Sequence, residues 1–160
     1  KKCQKAFDMK IIYFGRSKKQ NFETELSAEK YDLNSLLQKS DVVSLHCPLT
    51  KETRHLISRK ELDLMKEGSI LINTARGEII NQLELEQSLT TTKLFGIGLD
   101  VTTPEPILED SPLLSHENIV IVPHIGSANK ESRDAMSLLC AKNIEAFFNN
   151  SPLLTEVILN

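Results

Sequence analysis

The sequence predicts an α/β fold, a doubly wound parallel sheet with helices on both faces. Three observations carry this prediction. Apolar runs of strand length recur without polar alternation, as strands buried on both faces require. Helical patterns separate most of these runs, giving an order that alternates strand and helix. The 160 residues are 40% hydrophobic and 26% charged, which suits one domain with a sizeable core.

The elements follow in order. "KKCQKAFDMK" (1–10) reads as the second half of a helix with no N-terminal cap of its own. "KIIYF" (10–14) is a strand that stops at a basic loop, Gly15 to Lys19. "DLNSLLQKS" (32–40) is a short helix headed by Asp32, and "DVVSLH" (41–46) a strand ending at Cys47-Pro48. Residues 58–68 form a helix with Ser58 as N-cap and Gly68 just past its end. "SILINTA" (69–75) is the next strand. Residues 81–91 form a helix marked by Leu83, Leu85 and Leu89. Strands follow at 94–101 and 118–124, and a long amphipathic helix at 129–150. Gly96 and Gly98, inside a strand, are expected to allow close helix–sheet packing. Residues 102–117, with Pro104, Pro106 and Pro112, form a long loop of the kind that often carries function.

Composition excludes several classes. Net charge is −3 and there is no Trp, so neither a basic field nor a stacking platform for nucleic acid is expected. No apolar run approaches the about 18 residues of a membrane span. No secretory signal pattern is visible. Cys3, Cys47 and Cys140 are scattered, with no zinc-ligand spacing, so no metal is expected. A reducing, cytoplasmic location is the simplest reading.

In open parallel sheets ligands bind beyond the carboxyl ends of the strands. Arg76 follows one strand, Asp100 and then Glu105 the next, and His124 the last. An arginine fork holds a carboxylate bidentately and polarises the neighbouring carbonyl. Histidine gives or takes a proton near neutral pH, and a carboxylate beside it favours imidazolium. Such a trio suits hydride exchange between a 2-keto acid and a 2-hydroxy acid. Each residue alone also fits an ordinary surface position. His46 is read as structural, because no partner for it is evident.

Four segments resemble the D-isomer-specific 2-hydroxyacid dehydrogenase family. They are "CPLTKETRHLI" (47–57), "KEGSILINTARGEIINQLELEQSL" (66–89), "GIGLDVTTPEP" (96–106) and "VPHIGSA" (122–128). The resemblance runs from residue 3 to about 158. "FGRS", the "NQ" of Asn81-Gln82, "LDVTTPEP" and "AMSLLCAKNI" are most similar to the glyoxylate/hydroxypyruvate reductase branch. The resemblance implies a Rossmann-like fold and NAD(P)-dependent reduction of a small 2-keto acid to its D-2-hydroxy acid. It implies Arg76, Glu105 and His124 as catalytic residues. Arg76, His124, Ile125, Gly126 and Ser127 would bind substrate. Arg16, Ser17, Lys18, Lys19, Pro48, Thr74, Asp100 and Gly126 would bind the cofactor.

Relatives that use NAD place a carboxylate at the end of the first strand here, to accept from the ribose 2′-hydroxyl. This chain has Gly15, then Arg16, Ser17, Lys18 and Lys19. A carboxylate repels a 2′-phosphate, whereas Arg and Ser bond it. NADP(H) is therefore expected over NAD(H).

The resemblance also implies a longer, two-domain parent that forms a homodimer. Residues 1–150 would be a partial NAD(P)-binding domain, and 151–160 a tail returning to an absent substrate domain. The fold is then incomplete. Its first strand, with the G-x-G-x-x-G loop, is expected before residue 1, and its place between the strands at 10–14 and 69–75. Alone, the chain is expected to be inactive. The alternatives are a catalytically inactive fragment, a remnant that binds a partner, and a corepressor of the same superfamily, against which "NQ" and "VTTPEP" speak.

Overall fold

The computed structural model describes residues 1–91 and 93–157. They fall into two compact units, Lys1–Pro123 and His124–Asn160. Residues 158–160 of the expected tail lie outside the described residues.

The first unit runs α1 (Lys2–Phe7), β1 (Ile12–Tyr13), α2 (Gln20–Leu26), β2 (Glu29–Lys30), α3 (Leu33–Lys39) and β3 (Val42–Leu45). It continues with α4 (Arg59–Leu64), β4 (Ile70–Asn73), α5 (Gln82–Ser88), β5 (Gly96–Leu99) and β6 (Ile119–Ile121). Short 3-10 turns occupy Gly77–Ile79 and Pro112–Ser115. Every strand pair is parallel. β1 pairs with β2, and a second sheet has the order β3-β4-β5-β6.

That order corrects one expectation. β4 pairs with β3 from Val42↔Ile70 to Leu45↔Asn73 and with β5 from Ile70↔Gly96 to Asn73↔Leu99. No further strand fits beside β4, because both its edges are bonded. The edge strands are β3 and β6.

Side chains alternate across the sheet. Val43, Leu45, Leu71, Asn73, Ile97 and Leu99 are buried on one face. α3 packs on α4, and α4 on α5. Leu37, Leu62 and Leu85 from these helices join the buried core with Ile57, Met65 and Ile79. Each such side chain contributes roughly 1.5–3 kcal/mol by leaving water. The other face, with Val42, Ile70, Ile72, Gly96 and Gly98, is half-buried. A β-carbon on Gly98 would meet Ile72 at 3.8 Å and one on Gly96 would meet the Asn118 carbonyl at 3.5 Å. These are ordinary contacts, so the expected close helix packing does not explain these glycines.

Local chemistry sets the helix ends. Asp32 caps α3, its Oδ1 accepting the Ser35 N–H at 2.9 Å. Glu61 reaches back to the Ser58 N–H at 3.2 Å at the head of α4. α4 closes earlier than expected, at Leu64. Gly68 instead takes φ 76° in the turn before β4 and donates its N–H to Lys93.

In the second unit α6 (Lys130–Phe148) starts at Asn129, whose side chain accepts the Ser132 N–H at 2.8 Å. Asn143 folds the following segment back. Its Oδ1 accepts the Leu154 N–H at 2.9 Å, and its Nδ2 donates to Thr155 Oγ1 at 3.0 Å. Among the described residues no helix is long and apolar enough to cross a membrane.

Candidate active site

Parallel strands bring their carboxyl ends to one edge of each sheet. The basic loop leaves the end of β1. Arg16, Ser17, Lys18 and Lys19 are exposed, and none of their cations forms an ion pair among the described residues. The loop is nonetheless anchored. The Tyr13 hydroxyl accepts the Lys19 N–H at 2.8 Å and donates to Glu23 at 2.7 Å. Lys30, at the end of β2, places its ammonium 3.4 Å from the Arg16 carbonyl oxygen.

The segment after β3 lies within electrostatic reach of this loop. The Thr50 hydroxyl bonds Glu52 at 2.7 Å and holds its carboxyl below the usual range, and the Arg16 charge adds to that lowering. Thr53 donates to the Pro48 carbonyl at 2.6 Å and accepts the Thr50 N–H at 2.7 Å, which closes the turn carrying Pro48. Burial pushes the neighbouring Cys47 thiol up, so it is a poor nucleophile. His46 has a partner after all, Ser44 Oγ at 2.8 Å from its Nε2.

The turn after β4 is built by Asn73, which is fully buried. Its Oδ1 accepts the Ala75 N–H at 3.0 Å and its Nδ2 donates to the Arg76 carbonyl at 2.9 Å. Thr74 and Arg76 are thereby left at the sheet edge, both exposed. The Arg76 guanidinium donates to the Ala75 carbonyl at 2.6 Å. Asp100 is buried beside this turn, its N–H bonded to the Asn73 carbonyl at 2.9 Å.

Gly77 joins this turn to the loop after β5. A β-carbon on it would collide with the Thr102 carbonyl group and stand 2.6 Å from Thr103 Oγ1. The Thr103 N–H donates to Gln82 Oε1 at 2.7 Å, and Thr102 Oγ1 donates to the Pro104 carbonyl at 2.8 Å. The Arg76 turn and the loop presenting Glu105 are therefore packed against each other. Glu105 is exposed, between Pro104 and Pro106.

His124 opens the second unit with φ 52°. Left-handed backbone is uncommon in residues with a β-carbon, and such conformations collect at functional sites. The Ile125 carbonyl accepts the Ala128 N–H at 2.9 Å, closing a turn around Gly126 and Ser127. Residues 124–127 are exposed.

Residues 1–126 match the family described as D-isomer specific 2-hydroxyacid dehydrogenase, NAD binding domain. The chain belongs to this family. Among D-isomer specific 2-hydroxyacid dehydrogenases, it is 48% identical over 146 residues to glyoxylate reductase of Thermococcus litoralis, covering 91% of this chain and 44% of the relative. It is 45% identical over 143 residues to glyoxylate reductase of Korarchaeum cryptofilum, covering 89% and 43%. It is also similar to the crystal structure of D-mandelate dehydrogenase from Rhodotorula graminis, with TM-score 0.89 and 34% identity, covering 98% and 46%. The chain thus spans less than half the length of each of these dehydrogenases. Its parallel, Rossmann-like sheet agrees with the fold class expected from the apolar runs.

The sequence reading did not single out Tyr13, Lys30 or Asn73. The first and last hold the loops that carry the candidate residues. Asn73 carried a usable signal, since a polar residue closing an apolar run before a turn is a common side-chain bridge to backbone. Lys30 carried none, because its neighbourhood depends on the pairing of β1 with β2.

Proposed function

We propose that the chain is the cofactor-binding half of an NADPH-dependent reductase of a small 2-keto acid, glyoxylate or hydroxypyruvate. The observation that carries this reading is the packing of the Arg76 turn on the Glu105 loop at the carboxyl edge of a parallel sheet. Close relatives named glyoxylate reductase support the substrate class. The exposed cations after β1 fit the 2′-phosphate of NADP(H).

In this reading the Arg76 guanidinium grips the substrate carboxylate and polarises the keto oxygen. His124 is assigned as the residue that donates a proton to that oxygen, and Glu105 as a further catalytic carboxylate. Bound NADPH supplies the hydride that reduces the keto carbon. Thr74, Asp100 and Pro48 would help hold the cofactor, and residues 125–127 would bind the substrate.

The chain alone is read as silent, with turnover belonging to a longer gene product. The test is NADPH oxidation with glyoxylate or hydroxypyruvate. The 160-residue chain is expected to show none, and a longer product containing it to turn over and to lose activity on Arg76→Ala. Turnover by the short chain contradicts its silence. An inactive longer product, or an active Arg76→Ala variant, contradicts the assignment itself.

A further inference from the structure

We propose that Gln82 is a positioning residue, holding the Glu105 loop through an amide relay along α5. Gln82 Oε1 accepts the Thr103 N–H at 2.7 Å. Its Nε2 donates to Glu86 Oε1 at 3.1 Å. The same Glu86 oxygen accepts the Ser111 hydroxyl at 2.7 Å. The two ends of the 103–111 loop are thus fastened to one face of one helix.

The chemistry of the relay specifies an amide at position 82. A backbone N–H can only donate, so the atom facing Thr103 must accept. A carboxylate can only accept, so the atom facing Glu86 must donate. Glutamine meets both demands with one side chain. Glutamate at this position would still accept from Thr103 but would set two carboxylates within hydrogen-bond distance. Both ionised, they repel and the side chain at 82 turns away from Thr103; only a shared proton keeps the relay closed, which ties it to low pH. An apolar residue there would strand the Thr103 N–H.

The relay can also be reversed by exchanging the two side chains, so that the carboxylate comes first along α5 and the amide four residues later. The introduced carboxylate then accepts from Thr103. The introduced NH₂ carries two hydrogens, one for that carboxylate and one for the Ser111 oxygen. The double variant should therefore restore what Gln82→Glu alone disrupts. Fixing Glu105 matters for catalysis only on the dehydrogenase reading given above.

The test is ligand-free, so its failure is separate from failure of that reading, which the turnover assay decides. Protection of the Thr103 amide against hydrogen exchange, and the amide shift of Glu105, are measured by NMR on the 160-residue chain. Both are read at about pH 5 and about pH 8. Gln82→Met is expected to lower Thr103 protection roughly tenfold at both pH values and to move the Glu105 signal. Gln82→Glu is expected to do so only at the higher pH. Gln82→Glu with Glu86→Gln is expected to match the wild type at both. Unchanged protection in Gln82→Met, a pH-independent Gln82→Glu, or no recovery in the double variant would each overturn the relay. Should Gln82→Met not fold, the pH response and its recovery still decide.

Discussion

Gly77 lies so close to Thr102 that no side chain, not even a methyl group, fits between the Arg76 turn and the Glu105 loop. The obstacle is backbone, the Thr102 carbonyl group, so it cannot rotate aside as a side-chain tip could. Relief requires the loop itself to move.

Gly77→Ala is therefore expected to cost about 3 kcal/mol of stability, read from urea unfolding, because overpacking against backbone cannot be relaxed locally. The same substitution should shift the NMR signals of Thr102 to Glu105. A loss below about 1 kcal/mol would show that the loop yields and that its packing on the Arg76 turn is loose.

A pH dependence follows from Asp32. The Ser35 N–H and then the Ser35 hydroxyl hold its carboxyl below the ordinary value of 3.8. A carboxyl with a lowered folded-state value stabilises the fold fully above its ordinary value. That contribution fades as pH falls through the folded-state value. Asn caps a helix about as well as Asp and does not titrate. The stability of wild type relative to Asp32→Asn, from denaturation midpoints, should stay flat from about pH 7 to about pH 4.5 and fall below that. Parallel curves down to about pH 2.5 would mean that the charge on the cap contributes nothing.

Some of this molecule was legible from residue order alone. β3, β4 and β5 are apolar runs buried on alternate residues, and such runs have no stable place on a water-facing surface. Asp32 and Ser58 announced their helices by side-chain chemistry, whereas the Asn129 cap emerged only in the structure. α2 and β2 were not legible. "QNFETEL" offers only Phe22 and Leu26 as apolar marks, and β2 is the charged pair Glu29-Lys30, held by its pairing with β1. The strand order could not be read either, since ladder partners depend on which edges meet in space. At the candidate site, Arg76, Glu105 and His124 stood out by type and position. Their supports did not: Asn73 passed unnoticed and Gln82 stood out only as a branch marker, because both act through backbone groups that become neighbours only on folding.

The most direct measurement is a titration of the chain with 2′,5′-ADP and with 5′-AMP, in the wild type and in the double variant Arg16→Ala, Ser17→Asp. The two ligands differ by the phosphate that distinguishes NADPH from NADH. If the loop after β1 selects that phosphate, the wild type binds 2′,5′-ADP roughly tenfold or more tightly than 5′-AMP, as charge-assisted hydrogen bonds allow. The double variant then loses the difference or reverses it. Equal affinities in the wild type, or a ratio that survives in the variant, would contradict an NADPH site built on Arg16 and Ser17.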